Sequence, residues 1–204
     1  TEAWHLGFAL GPRINAAGRL GHSALGTRLL TARCEAEAGV LAERLEQLNR
    51  ERQAIEQSLL VQAERAVRPQ LEAGRSVLLA VGEAWHAGVL GIVASRLVER
   101  VHRPVFVIAM DGATGRGSAR SVRGFDLGAA VIAARRAAIL LEGGGHAMAA
   151  GLTVARDRLA DLEAFLAERI ADAARTPDGL GDPLVIDGSL AVGGITVELA
   201  TEIE

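Results

Sequence analysis

Between residues 76 and 110, two continuous apolar runs bracket a segment with a different rhythm. Residues 76–81 (Ser-Val-Leu-Leu-Ala-Val) and 104–110 are apolar without alternation, as strands covered on both faces read. Between them Leu90, Val93, Leu97 and Val101 recur every three or four positions, which predicts an amphipathic helix over 89–101 after a loop at 82–88. Strand, helix, strand in that order is the pattern of an α/β sheet. Further on, 114–122 predicts a third strand, polar and rich in small residues. Asp126 is placed to cap a helix reaching about Leu141, and the glycines of 143–151 lead into a fourth strand ending near Val154. Asp157 is placed to cap a last helix with Leu159, Leu162, Leu166 and Ile170 on one face. The expected fold class is α/β: a mixed sheet flanked by helices, preceded by a long connecting helix.

That connecting helix is read over residues 34–67. Leu41, Leu45, Leu48, Ile55 and Leu59 keep a spacing of three and four, Arg52 takes one inward slot, and Pro69 is expected to end the helix. Ser23 is placed to cap a short helix carrying Leu25, Leu29 and Leu30, and residues 1–22 read as a strand remnant followed by a loop. Residues 176–183 read as a linker of Pro, Gly and Asp. Residues 184–204 look strand-like and are too few to fold alone.

The balance of charge bears on which partners are plausible. The formal net charge is −3, whereas an isolated nucleic-acid-binding domain is usually basic, so any contact with phosphate must come from a local patch. All 22 basic residues are Arg, which a GC-rich genome explains without function. Arg also offers a flat fork of donors matched to phosphate. The single cysteine, Cys34, excludes an internal disulfide and fits a reducing, cytoplasmic setting. No apolar run approaches the ~18 residues of a membrane span, and residues 1–10 do not read as a signal peptide.

Four groups of residues have the chemistry to bind an anion. In residues 11–19, Arg13, Asn15 and Arg19 stand among glycines. They suit either a phosphate or an interdomain clasp on backbone carbonyls. In residues 85–94, Trp85 and His86 precede a predicted helix whose N-terminus offers free N–H groups. Trp85 as a core anchor and His86 as a cap is the alternative. On the predicted third strand Ser118 and Arg120 share a face, with Ser121 beside them. A hydroxyl and a guanidinium at that spacing can hold two oxygens of one phosphate, or can simply point to water. Gly143, Gly144 and Gly145, followed by His146, cost backbone entropy and contribute no packing. They call for either a closely approaching ligand or a tight helix-to-strand turn.

Metal-dependent phosphoesterases cluster Asp and His around their ions. The five His here are scattered, and no Asp lies within three residues of any of them, so a complete metal centre is not expected within these residues. A Gly-x-Ser-x-Gly elbow is also missing.

Taken together and in order, these motifs resemble the RecJ-type exonucleases of the DHH phosphoesterase superfamily. Residues 12–19 are similar to the loop closing that family's catalytic domain, and 48–53 with Glu56 to its connecting helix. Residues 85–94, 118–121 and 144–151 are similar to its DHH-associated second domain, and 183–204 to the first strands of the oligonucleotide-binding barrel that follows. The resemblance implies a remnant of the DHH domain at 1–22, a helical connector at 23–69, a DHH-associated domain at 75–175 and a truncated barrel at 183–204.

It also implies a 5′-to-3′ single-stranded-DNA exonuclease of repair and recombination, with manganese or magnesium bound outside these residues and no catalytic residue within them. Arg13, Asn15, Arg19, Trp85, His86, Ser118, Arg120, Ser121, Gly143, Gly144, Gly145 and His146 would hold the 5′ end of the strand. The expected partner is single-stranded DNA, for a monomer that also meets single-strand-binding or helicase proteins. Two alternatives remain: a related phosphoesterase acting on short oligonucleotides or cyclic dinucleotides, and a non-catalytic nucleic-acid-binding module.

Overall fold

A computed structural model describes residues 2–175 and 186–203. Its centre is a five-stranded mixed sheet in the order β1-β2-β3-β5-β4, built from Leu78–Glu83, Val105–Asp111, Thr114–Arg120, Glu142–His146 and Ala149–Ala155 in chain order. The first two strands are parallel and the other neighbours antiparallel. A parallel pair needs a crossover, and α4 (Leu90–Val101) supplies it. The remaining helices are α1 (Gly11–Arg19), α2 (Ala24–Thr31), α3 (Glu35–Glu72), α5 (Leu127–Arg136), α6 (Leu159–Ala174) and α7 (Val197–Ile203).

Alternation along the strands sorts their side chains into two layers. Phe106, Ile108 and Met110 of β2 and Ala150, Leu152 and Val154 of β5 pack under α5 and α6, with Leu127, Val131, Leu162 and Leu166 buried against them. On the opposite face Leu78, Ala80, Val105 and Val107 are buried beneath α4 and the later turns of α3, through Val93, Leu97, Leu59 and Ala63. A third, smaller cluster joins Ala17 of α1 to Leu45 and Leu48 near the start of α3, with Leu25 and Leu29 of α2 around it. The 38-residue α3, about 57 Å long at 1.5 Å per residue, therefore links two cores.

One charged network fastens α3 to α4. Glu56, only 2% exposed, pairs with Arg52 one turn earlier and with Arg96 of α4 at 2.6 Å, while Arg52 also donates to buried Asn49. Arg52 does take an inward slot, and this carboxylate is why it can.

Several expectations need correction. Residues 5–19 are helical, not strand and loop: a π-helix at His5–Leu10 runs into α1, where Pro12 sits in the first turn and needs no N–H partner. Pro69 does not stop α3, which continues to Glu72. Only the Arg65 carbonyl loses its donor, a cost tolerated so near the end. Neither Ser23 nor Asp157 caps a helix by its side chain, whereas Asp126 does, accepting from the Ala129 N–H at 2.9 Å. The helix after Asp126 stops at Arg136, short of Leu141. The triple glycine is itself a strand, β4, so the sheet has five strands and not four. The expected linker at 176–183 lies outside the described residues. Of the strand-like tail, Val192–Gly194 is a 3-10 turn and Val197–Ile203 a helix.

Candidate functional site: an open half-sheet beside a helix N-terminus

Only half of the α4-facing side of the sheet is covered. The register places Arg116, Thr153 and Glu142 in one row across β3, β5 and β4. The next row is Ser118, Gly151 and Gly144, and the third is Arg120, Ala149 and His146. Two residues along a strand advance about 6.6 Å, so this is a grid of polar margins around a floor of small residues. Between this floor and Ala87 and Leu90, at the start of α4, lies a cavity of about 450 Å³.

Arg120 anchors one end. Its Nε donates to the Ser95 hydroxyl at 3.1 Å, and its NH1 to the Ser118 hydroxyl at 3.2 Å and the Ala119 carbonyl at 2.9 Å. Its ion-pair partner is missing: no carboxylate among the described residues neutralises it. Burial pushes its pKa below the ordinary guanidinium value, and the nearby Arg19 charge adds to the effect. Arg19 arrives from the end of α1 and donates to the Gly88 carbonyl at 3.1 Å.

Glycine makes that approach possible. A Cβ on Gly88 would lie 2.1 Å from the Arg19 carbonyl oxygen, and one on Gly91 would lie 3.0 Å from the Arg120 guanidinium and 3.1 Å from the Ser118 hydroxyl. The turn leading into α4 thus meets two guanidiniums and a hydroxyl, while the Gly88, Val89 and Leu90 N–H groups are already taken by His86 and Ala87.

The triple glycine divides by side. A Cβ on Gly143 would meet Val131 at 2.7 Å, and one on Gly145 would meet the Ala149 carbonyl at 2.3 Å; both face the α5 layer. Gly144 faces the open floor, where an added Cβ meets nothing within 4 Å, as at Gly151. Two of the three glycines are therefore explained by packing and the middle one is not.

Arg19, Ser118, Arg120, Gly144 and His146 border the open grid or its margin. Trp85 stands at the rim as a strut, its indole donating to Gln62 at 3.1 Å with Gly82 pressed beneath it. His86 accepts from the Gly88 N–H at 3.1 Å and so serves as a cap. Ser121 is buried and donates to the Phe125 carbonyl at 2.8 Å, away from the floor. Arg13 is tied to Glu46 at 2.6 Å and to the Ala9 carbonyl, in a clasp between α1 and α3, and Asn15 is exposed. Sequence reasoning passed over Ser95, Arg116, Gly151, Thr153 and Glu142. Carrying the two-residue period of Ser118 and Arg120 one step back gives Arg116, and Ser95 lies one helical turn beyond Gly91.

Among the described residues there is no group of three or more His, Cys, Asp or Glu able to hold a metal ion, so no step through a metal is derived for them. No described helix is long and apolar enough to cross a membrane.

Residues 74–172 match the DHHA1 domain. Nearly its whole length is similar to proteins named single-stranded-DNA-specific exonuclease RecJ. It is 40% identical over 202 residues to that of Escherichia coli, covering 96% of this chain and 35% of the relative, and 38% identical over 199 residues to that of Bacillus subtilis, covering 97% and 25%. The crystal structure of RecJ from Thermus thermophilus in complex with Mg2+ superposes with a TM-score of 0.73 at 36% identity, over 87% of this chain and 27% of that one. The chain thus spans about a third or less of the length of the curated relatives it matches.

Proposed function

We propose that this chain is the strand-gripping part of a 5′-to-3′ single-stranded-DNA exonuclease, holding the terminal phosphate while residues outside it supply the metals and the hydrolysis. The observation that carries this reading is Arg120. A partly buried guanidinium with a second guanidinium nearby and no carboxylate is electrostatically incomplete. A phosphate seated beside Arg120 and the Ser118 hydroxyl completes it, and relieves the repulsion with Arg19. Chemistry at a phosphodiester depends heavily on positioning, which is what such a seat supplies. The RecJ names of the relatives agree with a strand of DNA as ligand. The floor at Gly144 and Gly151 leaves room for the sugar or base attached to that phosphate.

The test is binding of a short single strand with and without a 5′ phosphate. The phosphorylated strand is expected to bind more tightly, and Arg120→Gln to weaken it roughly tenfold or more, since a charged hydrogen bond contributes about 1.5–3 kcal/mol. Equal binding of both strands by the wild-type chain contradicts the proposal.

A further inference from the structure

Arg116 is exposed and, among the described residues, its side chain makes no hydrogen bond or ion pair, although other Arg of this region are engaged: Arg156 with Glu83 and Gly112, Arg135 with the Gly143 carbonyl. It shares the open face with Ser118 and Arg120, one step along β3 from the hydroxyl. Its position is also a junction. Arg116, Glu142, Thr153 and Ala87 line both the 450 Å³ cavity over the glycine floor and a larger groove of about 1140 Å³ that runs on past Trp85 and His86. Any ligand longer than one nucleotide that leaves the first cavity this way passes Arg116. Among the described residues lining the larger groove Arg116 is the one guanidinium, and Asp111, Glu83 and Glu142 are acidic, Glu83 being paired with Arg156. Those carboxylates disfavour a continuous track of phosphates there and leave a place for one.

We infer that Arg116 is a second phosphate subsite, taking the internucleotide phosphate that follows the 5′-terminal one held at Ser118 and Arg120. This rests on the terminal-phosphate reading above and adds a length preference: two phosphates, not one, are recognised. Thr153, opposite Arg116 in the register, donates its hydroxyl to the Glu142 carboxylate at 3.4 Å, so the subsite rests on the Arg116 charge. The mechanism is electrostatic, so it is sensitive to salt.

The experiment titrates the chain with a 5′-phosphorylated mononucleotide and a 5′-phosphorylated dinucleotide, followed by amide chemical shifts up to millimolar ligand. Arg116→Gln is expected to weaken the dinucleotide about tenfold and the mononucleotide less than twofold, and to lower the salt slope for the dinucleotide by about 0.7. Arg116→Lys should recover part of the loss. Since Arg116 has no partner to lose, the variant's melting temperature should match the wild type, which separates binding from folding. An equal loss for both ligands, or none for either, overturns the second subsite. A mononucleotide that is insensitive to Arg120→Gln, or a wild-type chain that binds neither ligand, overturns the terminal-phosphate reading instead.

Discussion

Two halves of one sheet face differ in everything except their hydrogen bonding. Over β1 and β2 the face carries Leu78, Ala80, Val105 and Val107 and is buried under α4 and α3. Over β3, β5 and β4 it carries Arg, Ser, Thr, Gly and His, and α4 meets it at the β3 margin, at Ser118 and Arg120. The opposite face is apolar along β2 and β5 and covered there by α5 and α6. A sheet that buries three of its four half-faces has met its folding requirement there. The fourth half departs from the hydrophobic pattern, and that departure marks the place for binding.

The comparison breaks most visibly in stability. Phe106→Ala, in the fully buried layer, is expected to cost about 3–5 kcal/mol, and Arg116→Ala on the open half within about 0.5 kcal/mol, by chemical denaturation. Similar losses would mean that the open half is structural.

A finer division runs through the triple glycine. Gly145→Ala drives a methyl into backbone and should destabilise by about 1–3 kcal/mol, lowering the melting temperature by several degrees. Gly144→Ala should leave stability unchanged and weaken the ligand, because its methyl fills only the floor. A Gly144 variant that unfolds, or one that binds normally, removes that glycine from the site.

The smallest effect concerns the clasp away from the sheet. Hydrogen bonds from Arg50 and Arg13 hold the Glu46 carboxyl below its ordinary pKa. A depressed folded value means the contribution is present above the unfolded pKa and lost as pH falls through the folded one. Wild type and Glu46→Gln should therefore differ slightly at neutral pH and converge in acid. Denaturation curves that stay parallel across that range would show that Glu46 contributes nothing.

Much of the fold was legible because burial writes periodic signals. The apolar runs at 76–81 and 104–110 became β1 and β2, and the heptad-like Leu of α3 became two cores. The errors fell where composition outweighed tertiary context. Glycines suggested loops at 11–19 and 143–145, but Ala16 and Ala17 buried against α3 hold a helix in the first, and pairing to β5 holds a strand in the second. Within the candidate site, Ser118 and Arg120 were readable from strand alternation. Gly91 and Ser95 come from a different element, and Arg116 belongs to a row that exists only once β3, β5 and β4 are in register. Arg13 looked equivalent to Arg19 in sequence, yet a carboxylate at 2.6 Å engages it elsewhere.

A crystal structure of the chain with a 5′-phosphorylated single strand would test the central claim most directly. Oxygens of the terminal phosphate should lie within hydrogen-bonding reach of the Ser118 hydroxyl and the Arg120 guanidinium, with the attached nucleotide over Gly144 and Gly151. A phosphate seated instead on the Arg13 side, with the floor bare, would contradict it.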